Sequence, residues 1–124
     1  MATDLLALDA TDVARLIRQK KLSPVEYVRA IVEAIERSQP VINSFTVVTA
    51  ERATEQAKLA EGAAMAGAGL GPLHGVPFSI KDLVDTAGVE TFYGSAVHKG
   101  HVPTRDATTV RRLKEAGGVL VGKT

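Results

Sequence analysis

Few residues in this sequence can do chemistry. It has three histidines, five serines and no cysteine, which removes thiolate nucleophiles, disulfides and thiolate zinc sites. Lys81 stands out within Pro77-Phe78-Ser79-Ile80-Lys81-Asp82. Val76, Phe78 and Ile80 alternate, which predicts a strand over 76–80 that ends near Lys81. A lysine at the C-terminal end of a strand stands where open α/β sheets place their sites. Two readings of it stay open from the residues alone. It can snorkel and pair with Asp82 or Asp85. Alternatively it is enclosed behind Val76, Phe78 and Ile80 and serves as a base, because burial disfavours the charged form.

Three other patterns are weaker. Gly117-Gly118-Val119-Leu120-Val121-Gly122-Lys123-Thr124 has the letters of a phosphate loop, GxxxxGK[ST]. Such a loop needs flexible residues after a strand and before a helix. Here the interior is Val-Leu-Val, itself a strand, and the helix precedes it. His98 and His101 lie three apart in a glycine- and proline-flanked loop, whereas a metal centre needs three or four ligands and supporting groups. They read as exposed loop histidines. His74, between Leu73 and Gly75, reads as a turn histidine bonded to backbone. No metal or cofactor is expected.

The elements that must position these residues follow from local signals. Asp9 predicts a helix to about Lys20 with Val13, Leu16 and Ile17 inward. Ser23-Pro24-Val25-Glu26 is a strong helix start, with Ser at the cap, Pro at the first position and Glu able to close a capping box. That helix is expected to run to about Arg37, buried along Val28, Ile31, Val32 and Ile35, with Pro40 as its stop. A short strand is expected over 45–48. Thr49 should cap a third helix to Met65 whose seam is Ala53, Ala57, Ala60 and Ala64. Gly67–Gly71 reads as a flexible loop, and 82–104 as mostly loop. Pro77 marks the strand before it as irregular. Asp106 should cap a helix over 107–116, with Val110 and Leu113 inward and Gly117 as its stop. Gly118–Val121 is the next strand. Strand, connection, helix and strand form a right-handed βαβ unit with a parallel pair.

The composition fits a globular α/β chain. Of its 124 residues 45% are hydrophobic and 23% charged, which argues against disorder. A net charge of +1 leaves no nucleic-acid footprint. The longest uncharged run, Gly62–Ile80, is interrupted by five glycines and two prolines and is no membrane helix. The acidic N-terminus lacks the pattern of a secretory signal, so a cytoplasmic location is expected. Five Phe and Tyr residues and no Trp leave the core to Ala, Val, Leu and Ile, which suits close packing inside something larger.

Gly71-Pro72-Leu73-His74-Gly75-Val76-Pro77-Phe78-Ser79-Ile80-Lys81-Asp82 resembles the first catalytic motif of the amidase signature family. Leu22-Ser23-Pro24-Val25-Glu26 resembles that family's second-helix start. Ala87-Gly88-Val89-Glu90-Thr91, Gly94-Ser95, Asp106-Ala107-Thr108, Arg112-Leu113, Ala116-Gly117 and Gly122-Lys123-Thr124 follow in the family's order. The resemblance spans 16–124. It implies a serine amidohydrolase with a Ser–cis-Ser–Lys triad, in which Lys81 matches the catalytic lysine. A neutral lysine there takes a proton from a bridging serine, which activates a nucleophilic serine against an amide carbonyl. The family's Gly/Ser-rich stretch, source of both serines, has no counterpart here: Ser23, Ser38, Ser44, Ser79 and Ser95 lie in no such run. The fold class expected is therefore the N-terminal part of an amidase-signature α/β fold. Helices would pack on a mixed, partly parallel sheet, incomplete in this chain. Residues 1–70 would be mainly helical and 71–124 the start of the catalytic sheet. The chain reads as an N-terminal fragment of an amide hydrolase, inactive by itself. Its expected partners are a small-molecule amide and either a second copy or amidotransferase subunits. An alternative is the A subunit of a glutamine-dependent tRNA amidotransferase. Another, of a different class, is a non-catalytic interaction module.

Overall fold

A computed structural model describes residues 4–67 and 69–124. Ala68, in the expected glycine loop, lies outside the described residues. A 3-10 turn at Leu5–Ala7 leads into α1 (Ala10–Arg18), α2 (Pro24–Ile42), β1 (Val47–Val48), α3 (Ala50–Ala66), β2 (Pro77–Ile80), a 3-10 turn at Ala96–His98, α4 (Thr108–Glu115) and β3 (Val119–Lys123). The strands form a mixed sheet in the order β1-β3-β2. β3 runs antiparallel to β1 and parallel to β2, as the βαβ reading predicts.

Local chemistry explains most boundaries. The Asp9 carboxylate accepts from the Asp12 amide at 2.8 Å and opens α1, and the Ser23 hydroxyl accepts from the Glu26 amide at 3.2 Å and opens α2. These bonds satisfy amides that the first turn leaves without helical partners. The register of β2 on β3 shifts between Phe78 and Ser79, in keeping with an irregular strand at Pro77. Pro77 donates no amide, and the sheet places it on β2, at one end of the strand order.

Three expectations are corrected. Pro40 does not stop α2, which continues through it to Ile42 and ends on left-handed Asn43. Gln39 supplies the reason: its side chain donates to the Phe45 carbonyl at 2.7 Å and accepts from the Phe45 amide at 3.1 Å, fastening the exit beyond the proline. Thr49 makes no cap bond. Its hydroxyl donates instead to the Leu120 carbonyl at 3.0 Å, tying the head of α3 to β3. Asp106 does not cap α4 either. Its carboxylate accepts from the Ala87 amide at 2.8 Å and from the Lys114 ammonium at 2.8 and 3.0 Å.

Two apolar clusters hold the layers together. Val13, Ala14 and Ile17 of α1 meet Leu22, Tyr27, Ala64 and Val76. Val28, Val32 and Ile35 of α2 meet Ala53 and Ala57 of α3 and Val119 and Val121 of β3. The four-residue alanine seam is buried throughout, and its short side chains let α2 and β3 approach α3 closely.

Candidate catalytic site around Lys81

The parallel pair β2 and β3 ends in a small lattice of bonds. The Thr124 amide donates to the Ile80 carbonyl at 3.0 Å, and the Asp82 amide donates to the Thr124 carbonyl at 2.7 Å. That same carbonyl accepts from Lys81 Nζ at 3.0 Å. Lys81 therefore stands at the C-terminal end of the pair, where the sequence places it. Among the described residues it is exposed, and Val76, Phe78 and Ile80 do not by themselves enclose it. Only Val76 of the three is buried; Phe78 and Ile80 are half-buried, and Lys81 follows the last residue of β2.

The carboxylates beside it are turned elsewhere. Asp82 is buried; its Oδ1 accepts from the Phe92 amide at 3.1 Å, and its carbonyl accepts from the Tyr93 amide at 3.0 Å. Asp82 Oδ2 is buried without a partner among the described residues. Asp85 accepts from the Tyr93 hydroxyl, a bond that leads the influences holding that phenol above its ordinary pKa. Neither carboxylate forms an ion pair with Lys81, so the snorkelling pair with Asp82 or Asp85 is not the arrangement found.

The sequence reading missed Lys123. It is fully enclosed, and its ammonium donates to the Val84 carbonyl, to Thr86 Oγ1 at 2.9 Å and to Thr91 Oγ1 at 2.7 Å. Burial pushes its pKa down, against the fields of Asp82, Asp85 and Asp106. A signal was present: Val119, Val121 and Lys123 alternate, so the lysine shares a strand face with two core valines. Gly117–Thr124 is thus a turn and strand whose lysine is spent on protein acceptors, not a phosphate loop.

The remaining candidates fall where their simpler readings put them. The His74 ring bonds the Ala60 carbonyl at 2.7 Å. Gly117 lies against this turn with φ +98°, and a Cβ on it would stand 2.7 Å from His74 Cα. His98 and His101 are exposed and flank the Tyr93 ring at centroid distances of 5.1 and 5.7 Å. Among the described residues no three His, Cys, Asp or Glu side chains converge on a metal position. Ser23 and Ser95 bond local amides at turn starts, Ser38 bonds the Ile35 carbonyl, and Ser44 and Ser79 are exposed. None of the five hydrogen-bonds Lys81. Among the described residues no helix is long and apolar enough to cross a membrane.

A βαβ unit whose first strand runs into a lysine is a scaffold that holds an amine at the C-terminal end of a parallel pair. Comparison with known proteins gives that scaffold its family. The family described as Amidase matches residues 26–124, and the chain belongs to it. It is 41% identical over 120 residues to the glutamyl-tRNA(Gln) amidotransferase A subunit of Moorella thermoacetica, covering 97% of this chain and 25% of that protein. It is 38% identical over 117 residues to an acylamidase of Rhodococcus erythropolis, covering 94% and 24%. Among solved structures, a bacterial aryl acylamidase of the amidase signature enzymes superposes with a TM-score of 0.87 at 26% identity, over 94% of this chain and 25% of that one. Fatty acid amide hydrolase shares the fold at a TM-score of 0.90 and 24% identity, over 100% of this chain and 22% of the enzyme. The chain spans about a quarter of the length of the curated relatives it matches.

Proposed function

We propose that the protein bearing these residues hydrolyses linear amide bonds through a Ser–cis-Ser–Lys triad in which Lys81 is the general base. The observation that carries this reading is the placement of Lys81. Its amine is held on the Thr124 carbonyl at the C-terminal end of β2 and β3, in a chain of the amidase family. A base must be neutral to accept a proton, and an unperturbed lysine with a pKa near 10.4 is neutral in only about one molecule in 2,500 at pH 7. In the proposed enzyme, further chain covers Lys81, which is exposed in these residues, and so lowers this cost. The two serines of the triad belong to that same chain. Lys81 then takes the bridging serine's proton while that serine takes the nucleophilic serine's, and the nucleophile attacks the amide carbon. The leaving amine recovers the proton, and water releases the acyl group.

The second reading is the A subunit of a glutamine-dependent amidotransferase, supported by the 41% identity to a relative of that name. It adds partner subunits to the amide substrate; the first reading needs none beyond a second copy. Both go with a cytoplasmic location. The test is release of amine or ammonia by the full-length protein from N-substituted and primary aryl and aliphatic amides and from glutamine, with and without candidate partner subunits. Turnover of simple amides by the protein alone supports the hydrolase. Glutamine turnover that appears only with partners supports the amidotransferase reading. No release under either condition overturns both and leaves the non-catalytic module.

A further inference from the structure

Lys123 is the largest fully buried side chain among the described residues, and it is charged at its tip. A buried cation is costly, and an apolar side chain of similar volume would fill the same space without that cost. The acceptors around it are arranged for an ammonium. Thr86 Oγ1 donates its own hydrogen to the Val84 carbonyl at 3.1 Å, and Thr91 Oγ1 donates to the Val89 carbonyl at 3.1 Å. Both hydroxyls therefore present lone pairs to Nζ. With the Val84 carbonyl they make three acceptors for the three hydrogens that only the protonated amine has. The groups acting on this cation are Asp82, Asp85 and Asp106. Asp82 also holds a buried oxygen with no direct partner.

All three acceptors lie in the loop that leaves Lys81. Lys123 pairs with Ile80 in the sheet, and its neighbour Thr124 holds both the Asp82 amide and Lys81 Nζ. Two consecutive residues at the end of β3 thus grip the loop at its root and along its length. We infer that Lys123 is a positioning residue: by pinning the loop 82–91 to β3 it sets where the Lys81 amine stands. The inference rests on the role proposed for Lys81. Nothing in the phosphate-loop lettering foretells it.

The experiment uses the full-length protein with Lys123→Met, and with Thr86→Val plus Thr91→Val, which keeps the cation and removes two acceptors at nearly constant volume. Lys81→Met serves as reference. Amide hydrogen exchange over residues 82–91, kcat and KM are read on folded protein. Both altered proteins should exchange at least about tenfold faster in this loop and lose at least about tenfold in kcat, with KM within threefold. Unchanged exchange overturns the inference. So does an activity loss that follows only the folded fraction. If Lys123→Met does not fold, the threonine double variant decides by the same exchange and kcat criteria. An inactive wild-type protein, or a Lys81→Met that keeps its rate, fails the proposed function and the role of Lys123 with it. An inactive Lys81→Met beside Lys123 and threonine variants of normal rate fails the inference alone.

Discussion

Gly117 joins α4 to β3 and lies against the turn that feeds β2, so a single methyl there tests how the parallel pair is held. Its φ of +98° is a conformation that side chains disfavour, and the added Cβ would meet His74 Cα at 2.7 Å and His74 N at 3.0 Å. Those atoms are backbone and cannot rotate aside. The Gly117 carbonyl also accepts from the Gly75 amide at 2.9 Å, so relief by movement loosens that bond. Backbone strain of this kind costs about 1–3 kcal/mol, and displacing the turn adds about one hydrogen bond's worth, about 1 kcal/mol. Gly117→Ala in the full-length protein should therefore lose about 2–4 kcal/mol. Gly62 is the control. It lies in α3 with open space around its Cβ position. Gly62→Ala should gain about 0.5–1 kcal/mol by restricting the unfolded chain and favouring helix. Denaturant unfolding of both variants gives the comparison. A Gly117→Ala protein within about 0.5 kcal/mol of wild type would refute the reasoning, most sharply if Gly62→Ala behaves as expected.

Ala57 is fully enclosed between α2 and β3, so Ala57→Leu should overpack the seam and cost about 1–3 kcal/mol in the same unfolding measurement, whereas Leu at exposed Glu55 should change little. Burial works against ionisation of Asp106, but the bonds from Lys114 and the Ala87 amide and the charges of Lys114 and Arg52 outweigh it and hold its pKa below the ordinary range. Its contribution to stability is then present above the unfolded aspartate pKa, near 3.9, and is lost as pH falls through the lower folded value. Asp106→Asn should cost about 1–2 kcal/mol at pH 7, and the difference from wild type, followed by urea unfolding between pH 7 and 2, should shrink at the acid end.

What the sequence made legible was local. The Ser23-Pro24-Glu26 start, the alanine seam and the parallel strands of the βαβ unit all rest on neighbours within a turn or on one periodicity. Asp106 was misread because its partners, Ala87 and Lys114, are brought to it only by the loop and the helix packing together. Thr49 and Pro40 were misread for the same reason: Leu120 and the Gln39–Phe45 tie decide their roles, not helix preference. Lys81 was placed at the right end of the right strand, yet its exposure depends on what covers the strand end, which alternation cannot reveal. Lys123 shows the converse. Its alternation with Val119 and Val121 was readable, but the resemblance of Gly117–Thr124 to a phosphate loop drew attention to glycines instead of to the face the lysine occupies.

The central claim is that Lys81 works as a neutral base, and the most direct measurement is the turnover of Lys81→Arg in the full-length protein on its best amide substrate, beside Lys81→Met. Arginine stays protonated at any working pH, so it can replace a charge but not a base. The account predicts that both variants fold and that each loses at least about a hundredfold in kcat, about 2.7 kcal/mol of barrier. A Lys81→Arg protein that keeps more than about a tenth of wild-type turnover, while Lys81→Met does not, would contradict it and make Lys81 a source of positive charge.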